Sequence, residues 1–320
     1  MLRIPVVVAS VLALLGPSTQ VQQSTADRLK PIKKMALPEA IEFMRPSVVQ
    51  ISVRIEHASS TTGQFQLPSR PTYVTLGSGF LVSAEGYAVT ARHVIQSFQA
   101  IQTGSHKSLV VGLALPNLEN YKSGGATLNI RASFNFTECE VVEEDVRHDL
   151  ALLKLKINPF TDKPHFIKTP KETIGYLHRV AMLSSPARPR DGEAIAVSGY
   201  PLNQTVLITT SGNLASSWAY DSVPAQVPGA PPGFVAPDTA DFYIGDMHVN
   251  PGNSGGPAFS VETGKVIGVC VAYDMAPVVY GDGNHEQASV GNRELFSNSG
   301  LAIVIPVRYV IDLLKKHNLK

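Results

Sequence analysis

Residues 77–93 have the sequence Gly-Ser-Gly-Phe-Leu-Val-Ser-Ala-Glu-Gly-Tyr-Ala-Val-Thr-Ala-Arg-His, and this stretch indicates the fold class. Two short β runs, 77–82 and 87–90, flank the turn residues Ala84, Glu85 and Gly86. This arrangement predicts a β-hairpin. Short β runs between turn residues continue to about residue 305, so we expect an all-β protein, a sandwich or barrels.

Only the two ends of this β region carry a helical pattern. Residues 37–44 combine an early proline with apolar residues at helical spacing, and we expect a short N-terminal helix that ends before Pro46. Residues 306–316 begin with a proline and end in lysines, which is typical of a C-terminal helix.

The first residues have the features of an export signal. Arg3 precedes an apolar run over 4–15 that is too short to span a bilayer comfortably. We expect a signal peptide over about 1–22, a tether over 23–38, and an exported protein, periplasmic or secreted, with no membrane span after signal removal. The alternative is an uncleaved anchor.

Composition excludes several classes of function. The 27 Lys and Arg residues nearly balance the 26 Asp and Glu residues, and no block of like charge is long, so we expect no nucleic-acid partner. Cys139 and Cys270 are far apart in sequence, and we expect two buried free thiols, with a bridge between them as the alternative. No ligand spacing indicates a metal site, and we expect no cofactor.

The stretch 251–257, Pro-Gly-Asn-Ser-Gly-Gly-Pro, carries the candidate nucleophile. Its glycines let the backbone approach a ligand closely. The N–H groups of Gly252 and Ser254 can therefore hold the negative oxygen that forms during acyl transfer, an oxyanion hole. Ser254 is the candidate nucleophile.

A serine nucleophile needs a base and a carboxylate that orients the base. His93 follows the predicted hairpin among small and apolar residues, and Asp149 precedes the apolar strand 150–155. We therefore expect a triad of His93, Asp149 and Ser254. His148 is expected to be structural or exposed, because neighbours on a strand face opposite ways.

Six blocks together resemble the trypsin-like serine peptidases with the chymotrypsin fold, nearest the bacterial HtrA (Deg) group. The candidate residues come in the order His, Asp, Ser that is typical of the chymotrypsin type. The resemblance extends over residues 39–312. The blocks are 77–80, 90–94, 149–154, 252–257, 266–269 and 301–306.

The resemblance implies two six-stranded antiparallel β-barrels and a serine endopeptidase that cleaves polypeptides, for example unfolded or exported proteins. The first barrel is expected over 39–165 with His93 and Asp149, and the second over 166–320 with Ser254. HtrA proteins usually carry PDZ domains after the peptidase. Only residues 307–320 follow the last block, so we expect no PDZ domain there, and the oligomeric state stays open.

In enzymes with this fold, the residues before the nucleophile turn and the strand after it bound the primary substrate pocket. Here these are His248 and the apolar strand residues Val269, Cys270, Val271 and Ala272. No Asp stands six residues before Ser254, so cleavage after Arg or Lys is disfavoured. We expect small or medium apolar P1 residues, with an acidic P1 as the alternative if His248 faces the pocket.

Two other functions stay open at this stage. The run Gly-Asn-Ser-Gly-Gly also fits the nucleophile elbow of α/β-hydrolase esterases, although that fold places the Asp and the His after the serine. The other alternative is a peptidase-like fold that serves as a catalytically silent binding module.

Overall fold

The computed structural model describes most of the chain from residue 34 onward. The described residues are 34–57, 61–62, 65–66, 70–114, 121–123, 126–128, 134–161, 167–168, 173–174, 178–217, 241–279, 289–290 and 293–319. The expected signal peptide (1–22), most of the expected tether and the proline-rich loop 221–240 lie outside the described residues.

Six antiparallel strands close the first barrel in the order β1-β2-β3-β6-β5-β4. Each neighbouring pair forms an antiparallel ladder, so no strand edge is left open. Side chains such as Val49, Phe80 and Leu152 are fully buried in its core. The strands are β1 (Val48–Glu56), β2 (Thr72–Ser83), β3 (Tyr87–Ala91), β4 (His106–Ala114), β5 (Phe134–Asp145) and β6 (Leu150–Leu155).

The second barrel repeats this topology with strands β7 to β12. They close in the order β7-β8-β9-β12-β11-β10, the same order as in the first barrel when counted from its own first strand. The expected all-β fold with two six-stranded antiparallel barrels is therefore confirmed. The strands are β7 (Ala194–Gly199), β8 (Ile208–Ser216), β9 (Tyr243–Asp246), β10 (Pro257–Ser260), β11 (Val266–Pro277) and β12 (Phe296–Pro306).

Several of these strands, β11 and β12 among them, are longer than the sequence pattern predicts. The pattern ends β11 near residue 272 and begins β12 near residue 300, whereas the two strands stay paired out to Pro277 and Phe296. Polar residues such as Ser297 and Ser299 alternate with half-buried ones in this extension. An exposed ribbon of this kind has no apolar alternation by which the sequence could have revealed it.

The helices at both ends have the expected positions. Helix α1 covers Leu37–Met44 and α3 covers Val307–Lys316. Helix α2 (Arg92–Ala100), which follows β3, was not predicted from the sequence. Among the described residues, no helix has the length and apolar character needed to cross a membrane.

Each terminal helix contacts the barrel formed by the other half of the chain. Before α1, the Met35 N–H donates to the carbonyl of Glu262, between β10 and β11, at 3.0 Å. From α3, Tyr309 stacks on His148 of the first half, with ring centroids 3.6 Å apart. The buried residues of the first barrel also form one apolar cluster with residues of the second half such as Phe259. The two barrels are therefore packed directly on each other.

Candidate active site

His93 is the second residue of helix α2, and this helix begins directly after the last residue of β3. The residue at the helix N-cap, Ala91, has no side chain that can cap the helix. Asp149, in the turn between β5 and β6, accepts hydrogen bonds from the first N–H groups of the helix instead. Its carbonyl accepts from the Arg92 N–H at 2.9 Å, and its Oδ1 accepts from the His93 N–H at 2.9 Å. A carboxylate is favourable at a helix N-terminus, where the free N–H groups and the helix dipole present positive charge.

The second carboxylate oxygen of Asp149 contacts the imidazole ring of His93. The distance from His93 Nδ1 to Asp149 Oδ2 is 2.7 Å, and the carboxylate is almost entirely buried. Asp149 has φ of 51°, a left-handed conformation that Asp tolerates better than most residues. An ionised carboxylate only accepts hydrogen bonds, so Nδ1 carries the proton and Nε2 of a neutral ring is the basic nitrogen.

Ser254 lies in the tight turn between β9 and β10, and this turn packs against the first barrel. A Cβ added at Gly77 would lie 2.9 Å from the Ser254 carbonyl oxygen and 2.7 Å from Cγ2 of Val94, the neighbour of His93. A Cβ added at Gly255 would overlap the Ser78 carbonyl oxygen and lie 2.8 Å from the Ala91 nitrogen. Because these two glycines have no side chain, the Ser254 turn can approach the start of α2. The Ser254 hydroxyl donates to the Val271 carbonyl at 3.3 Å.

The Gly252 and Ser254 N–H groups have no hydrogen-bond acceptor among the residues that the structure describes. Gly252 has φ of 100°, which glycine adopts without strain. A Cβ at this position would lie 2.7 Å from the Tyr200 carbonyl oxygen, so the close packing also requires glycine. Two unpaired N–H groups beside a serine hydroxyl are the kind of donors that stabilise an oxyanion.

The expected pocket residues differ in exposure. Val269, Cys270 and Val271 are buried, Ala272 is half-buried, and His248 is exposed. The His248 ring lies over Gly300 of β12, because a Cβ added at Gly300 would be 3.2 Å from His248 Cε1. Asn298 holds the next residue, Val249, by donating from Nδ2 to its carbonyl at 2.7 Å. Both contacts therefore join the segment of His248 and Val249 to β12.

His148 lies apart from this arrangement, but the reason given from the sequence was wrong. Residues 146–149 form a turn and not a strand, so alternation of side chains does not apply. The Nδ1 atom of half-buried His148 bonds to Asp145 Oδ2 at 2.7 Å, and its ring stacks on Tyr309. These contacts are structural, since they join the turn that carries Asp149 to helix α3.

Both cysteines are free and buried, as expected. Burial raises the pKa of the Cys139 thiol to about 12 and that of the Cys270 thiol to about 12, so neither is a thiolate at neutral pH. Among the described residues, no three His, Cys, Asp or Glu side chains are grouped in a way that could hold a metal ion.

One residue with several contacts to the Ser254 turn, Ser78, was not identified from the sequence. It is fully buried in β2, and its N–H donates to the Ser254 carbonyl at 2.8 Å. Its sequence block, Gly-Ser-Gly-Phe, indicated family resemblance. A serine in a strand, however, carries no local signal that it contacts a residue as distant in sequence as Ser254.

Comparison with known proteins identifies the family of this chain. The model of the trypsin-like peptidase domain family matches residues 77–269. "Serine protease HTR4" from Rattus norvegicus is 29% identical over 231 residues, which are 72% of this chain and 34% of that protein. A "Probable periplasmic serine endoprotease DegP-like" from Marinomonas sp. (strain MWYL1) is 25% identical over 65% of this chain and 32% of that protein. The chain thus spans about a third of the length of these relatives.

A solved structure supports the fold. "HtrA-type protease AlgW with decapeptide" superposes with a TM-score of 0.53 at 18% identity, covering 88% of this chain and 66% of that one. The family model covers more than half of the chain, and its range includes all three candidate residues. The chain therefore belongs to the trypsin-like peptidase domain family, and the relatives described above are serine proteases of the HtrA type.

Proposed function

We propose that this protein is a serine endopeptidase in which Ser254 is the nucleophile, His93 the general base and acid, and Asp149 the residue that orients His93. The observation that carries the proposal is the pair of hydrogen bonds that Asp149 accepts from His93, at 2.7 and 2.9 Å, on the helix that the Ser254 turn packs against. These bonds direct the proton of His93 to Nδ1 and leave Nε2 to accept the proton of Ser254.

The proposed reaction has two halves. His93 Nε2 takes the hydroxyl proton while Ser254 Oγ bonds to the substrate carbonyl carbon, and the carbonyl electron pair moves to its oxygen. The Gly252 and Ser254 N–H groups hold that oxyanion. The intermediate collapses, the C–N bond breaks, and His93 gives its proton to the leaving amine. Water then attacks the acyl-enzyme with the same proton transfers, which releases the acid and restores Ser254.

The proposed substrate is a polypeptide, for example an unfolded or exported protein. Support comes from the HtrA-type relatives and from the solved structure of an HtrA-type protease, AlgW, with a decapeptide. We place the P1 side chain between His248, Gly300 and the strand Val271–Ala272. No carboxylate occupies the position of His248, so a small or medium apolar P1 fits best, and an acidic P1 is the second candidate.

We also propose that the protein is exported. Its relatives include proteins named as periplasmic DegP-like endoproteases, and residues 1–22 have the pattern of a signal peptide. On the domain division, we propose that residues 39–165 and 166–320 form the two halves of the peptidase.

The esterase alternative does not agree with the fold. The nucleophile elbow belongs to a mostly parallel sheet flanked by helices, whereas the twelve strands β1 to β12 form two closed antiparallel barrels. The silent binding module has the same fold as a peptidase, so only activity separates the two.

Hydrolysis of fluorescein-labelled casein tests the proposal. We expect wild-type protein to release peptides and Ser254→Ala to lose activity by a factor of about 10⁶, as when a serine nucleophile is deleted elsewhere. Ser260→Ala, a buried serine in β10, is the control and should retain activity. Casein that is bound equally by wild type and Ser254→Ala but never cleaved would support the binding module instead.

A further inference from the structure

Ser78 of the first barrel contacts both residues whose N–H groups form the proposed oxyanion hole. Its backbone N–H donates to the Ser254 carbonyl at 2.8 Å, and its hydroxyl donates to the Gly252 carbonyl at 2.6 Å. The side chain is fully buried, so water does not compete for these bonds. One residue of the first barrel thus reaches across to two carbonyls of the nucleophile turn in the second.

All four consecutive carbonyls of this turn, 251 to 254, are held by hydrogen bonds. The Pro251 carbonyl accepts from the Leu202 N–H at 2.9 Å, and the Asn253 carbonyl accepts from the Gly256 N–H at 2.9 Å. Ser78 holds the other two. Three of the donors are backbone groups, and the Ser78 hydroxyl is the only side chain among the four.

The carbonyls control the direction of the N–H groups. In a trans peptide the C=O and N–H bonds point to opposite sides. The Pro251 carbonyl shares its peptide with the Gly252 N–H, and the Asn253 carbonyl shares its peptide with the Ser254 N–H. The Gly252 carbonyl belongs to the peptide between these two, which also carries the Asn253 N–H. Because Gly252 has no side chain to restrict its dihedral angles, the bonds on both sides of it determine where its N–H points.

The Ser78 hydroxyl also supports the Leu202 contact. Its oxygen accepts from the Tyr200 N–H at 2.8 Å, and Tyr200 begins the segment that places the Leu202 N–H against Pro251. The Ser78 carbonyl in turn accepts from Thr90 Oγ1 at 2.7 Å, close to the start of α2. Ser78 therefore lies between the element that carries His93 and the turn that carries Ser254.

From this geometry we propose that Ser78 is a positioning residue, whose hydroxyl holds the Gly252–Asn253 peptide, between the two peptides that carry the oxyanion-hole N–H groups, so that the oxyanion hole is formed before substrate binds. This proposal rests on the proposed function. Ser78 touches neither the substrate nor the reacting atoms and acts through the Gly252 carbonyl. Its loss should slow formation of the tetrahedral intermediate and leave substrate affinity almost unchanged.

The test compares Ser78→Ala and Ser78→Cys with wild type in the full chain. A thiol is a weaker donor than a hydroxyl, and its sulfur is larger, so Ser78→Cys keeps a donor at this position but weakens the bond. Ser52→Ala is the matched control, because Ser52 is equally buried in the same barrel and its hydroxyl donates to Gln50 Oε1 at 3.2 Å and not to a carbonyl of the turn. Each variant is measured for its labelling rate with a fluorophosphonate probe, for kcat and KM on labelled casein, and for its unfolding temperature.

We expect Ser78→Ala to lower the labelling rate and kcat about tenfold to a hundredfold, less than the loss of an oxyanion donor itself. KM should stay within about twofold, Ser78→Cys should be intermediate, and Ser52→Ala should label like wild type. Equal labelling rates in wild type and in folded Ser78→Ala overturn the proposal. If Ser78→Ala does not fold, a wild-type rate in Ser78→Cys overturns it.

The same experiment separates this proposal from the proposed function. If the probe does not label Ser254 in wild type, the proposed function fails, and the role of Ser78 fails with it. If Ser254 is labelled but the Ser78 variants lose no more activity than Ser52→Ala does, the peptidase function stands and Ser78 has a merely structural role.

Discussion

Asp149 holds His93 at two points, the ring through Oδ2 and the backbone N–H through Oδ1, at 2.7 and 2.9 Å. The ring contact fixes the tautomer, and the backbone contact fixes the start of the helix on which the ring is carried. One carboxylate therefore sets both the orientation of the proposed base and the position of its helix.

These two contacts are separable by substitution. Asp149→Asn keeps an oxygen for the His93 N–H but can present an amide N–H to Nδ1, which favours the wrong tautomer. We expect casein hydrolysis to fall by about 10⁴ with little change in unfolding temperature. Asp149→Ala should lose the same activity and also be clearly less stable, because it removes both contacts and strains a residue at φ of 51°. Equal unfolding temperatures for the two variants would argue against the backbone contact.

Gly252→Ala should abolish most activity. The added Cβ would lie 2.7 Å from the Tyr200 carbonyl oxygen, and φ of 100° is unfavourable for alanine. The turn must therefore shift and misplace the Gly252 N–H, with an expected loss of about 10² to 10³ in kcat. Gly104→Ala is the control, since a Cβ there has no atom within 4 Å. Casein hydrolysis by both variants checks this, and a fully active Gly252→Ala would contradict the oxyanion assignment.

Glu143 should stabilise the docking of α3 on the first barrel in a pH-dependent way. The hydrogen bond from Lys316, and then that from His317, lower the pKa of Glu143 below the ordinary value of a glutamate side chain, 4.5. A lowered pKa in the folded state contributes stability above the unfolded pKa, and this contribution is lost as pH falls through the folded value.

We expect Glu143→Gln to lower the unfolding free energy by about 0.5–1 kcal/mol at pH 7, a small effect because the groups are partly exposed. The difference from wild type should shrink below pH 4.5. Urea unfolding at pH 7 and pH 3 measures it, with Glu140→Gln, an exposed residue on the same strand, as control. A difference that is constant with pH would refute the role of the charge.

Peptide specificity should follow the surroundings of His248. A P1 library should show cleavage after Val, Ala or Leu, because nothing at this position neutralises a cationic side chain. If His248 instead selects an acidic P1, cleavage after Glu dominates and His248→Ala removes that preference. Dominant cleavage after Arg or Lys would contradict both versions.

The all-β class and the candidate triad residues followed from local signals in the sequence, whereas the two six-stranded barrels were implied by the family resemblance. Hairpin turns, alternating strands and the glycines around Ser254 are determined by neighbouring residues. Helix α2 was missed because its N-terminus is stabilised by Asp149, 56 positions after His93, and not by a nearby capping residue. Contacts of this range leave no pattern in the residues on either side.

The role of Ser78 could not be found from the sequence for the same reason. Its hydroxyl bonds to Gly252 across 174 positions, and only the packing of the two barrels brings the residues together. His148 shows a related error, since a strand was assumed where the chain forms a turn, and its stacking on Tyr309 depends on where α3 docks.

The identity of the nucleophile is the central claim, and covalent labelling tests it most directly. The protein is treated with a fluorophosphonate probe, digested, and the modified residue is located by mass spectrometry. The account predicts one label, on Ser254, none in Ser254→Ala, and strongly slowed labelling in His93→Ala. A label on another residue, or equal labelling of wild type and Ser254→Ala, would contradict it.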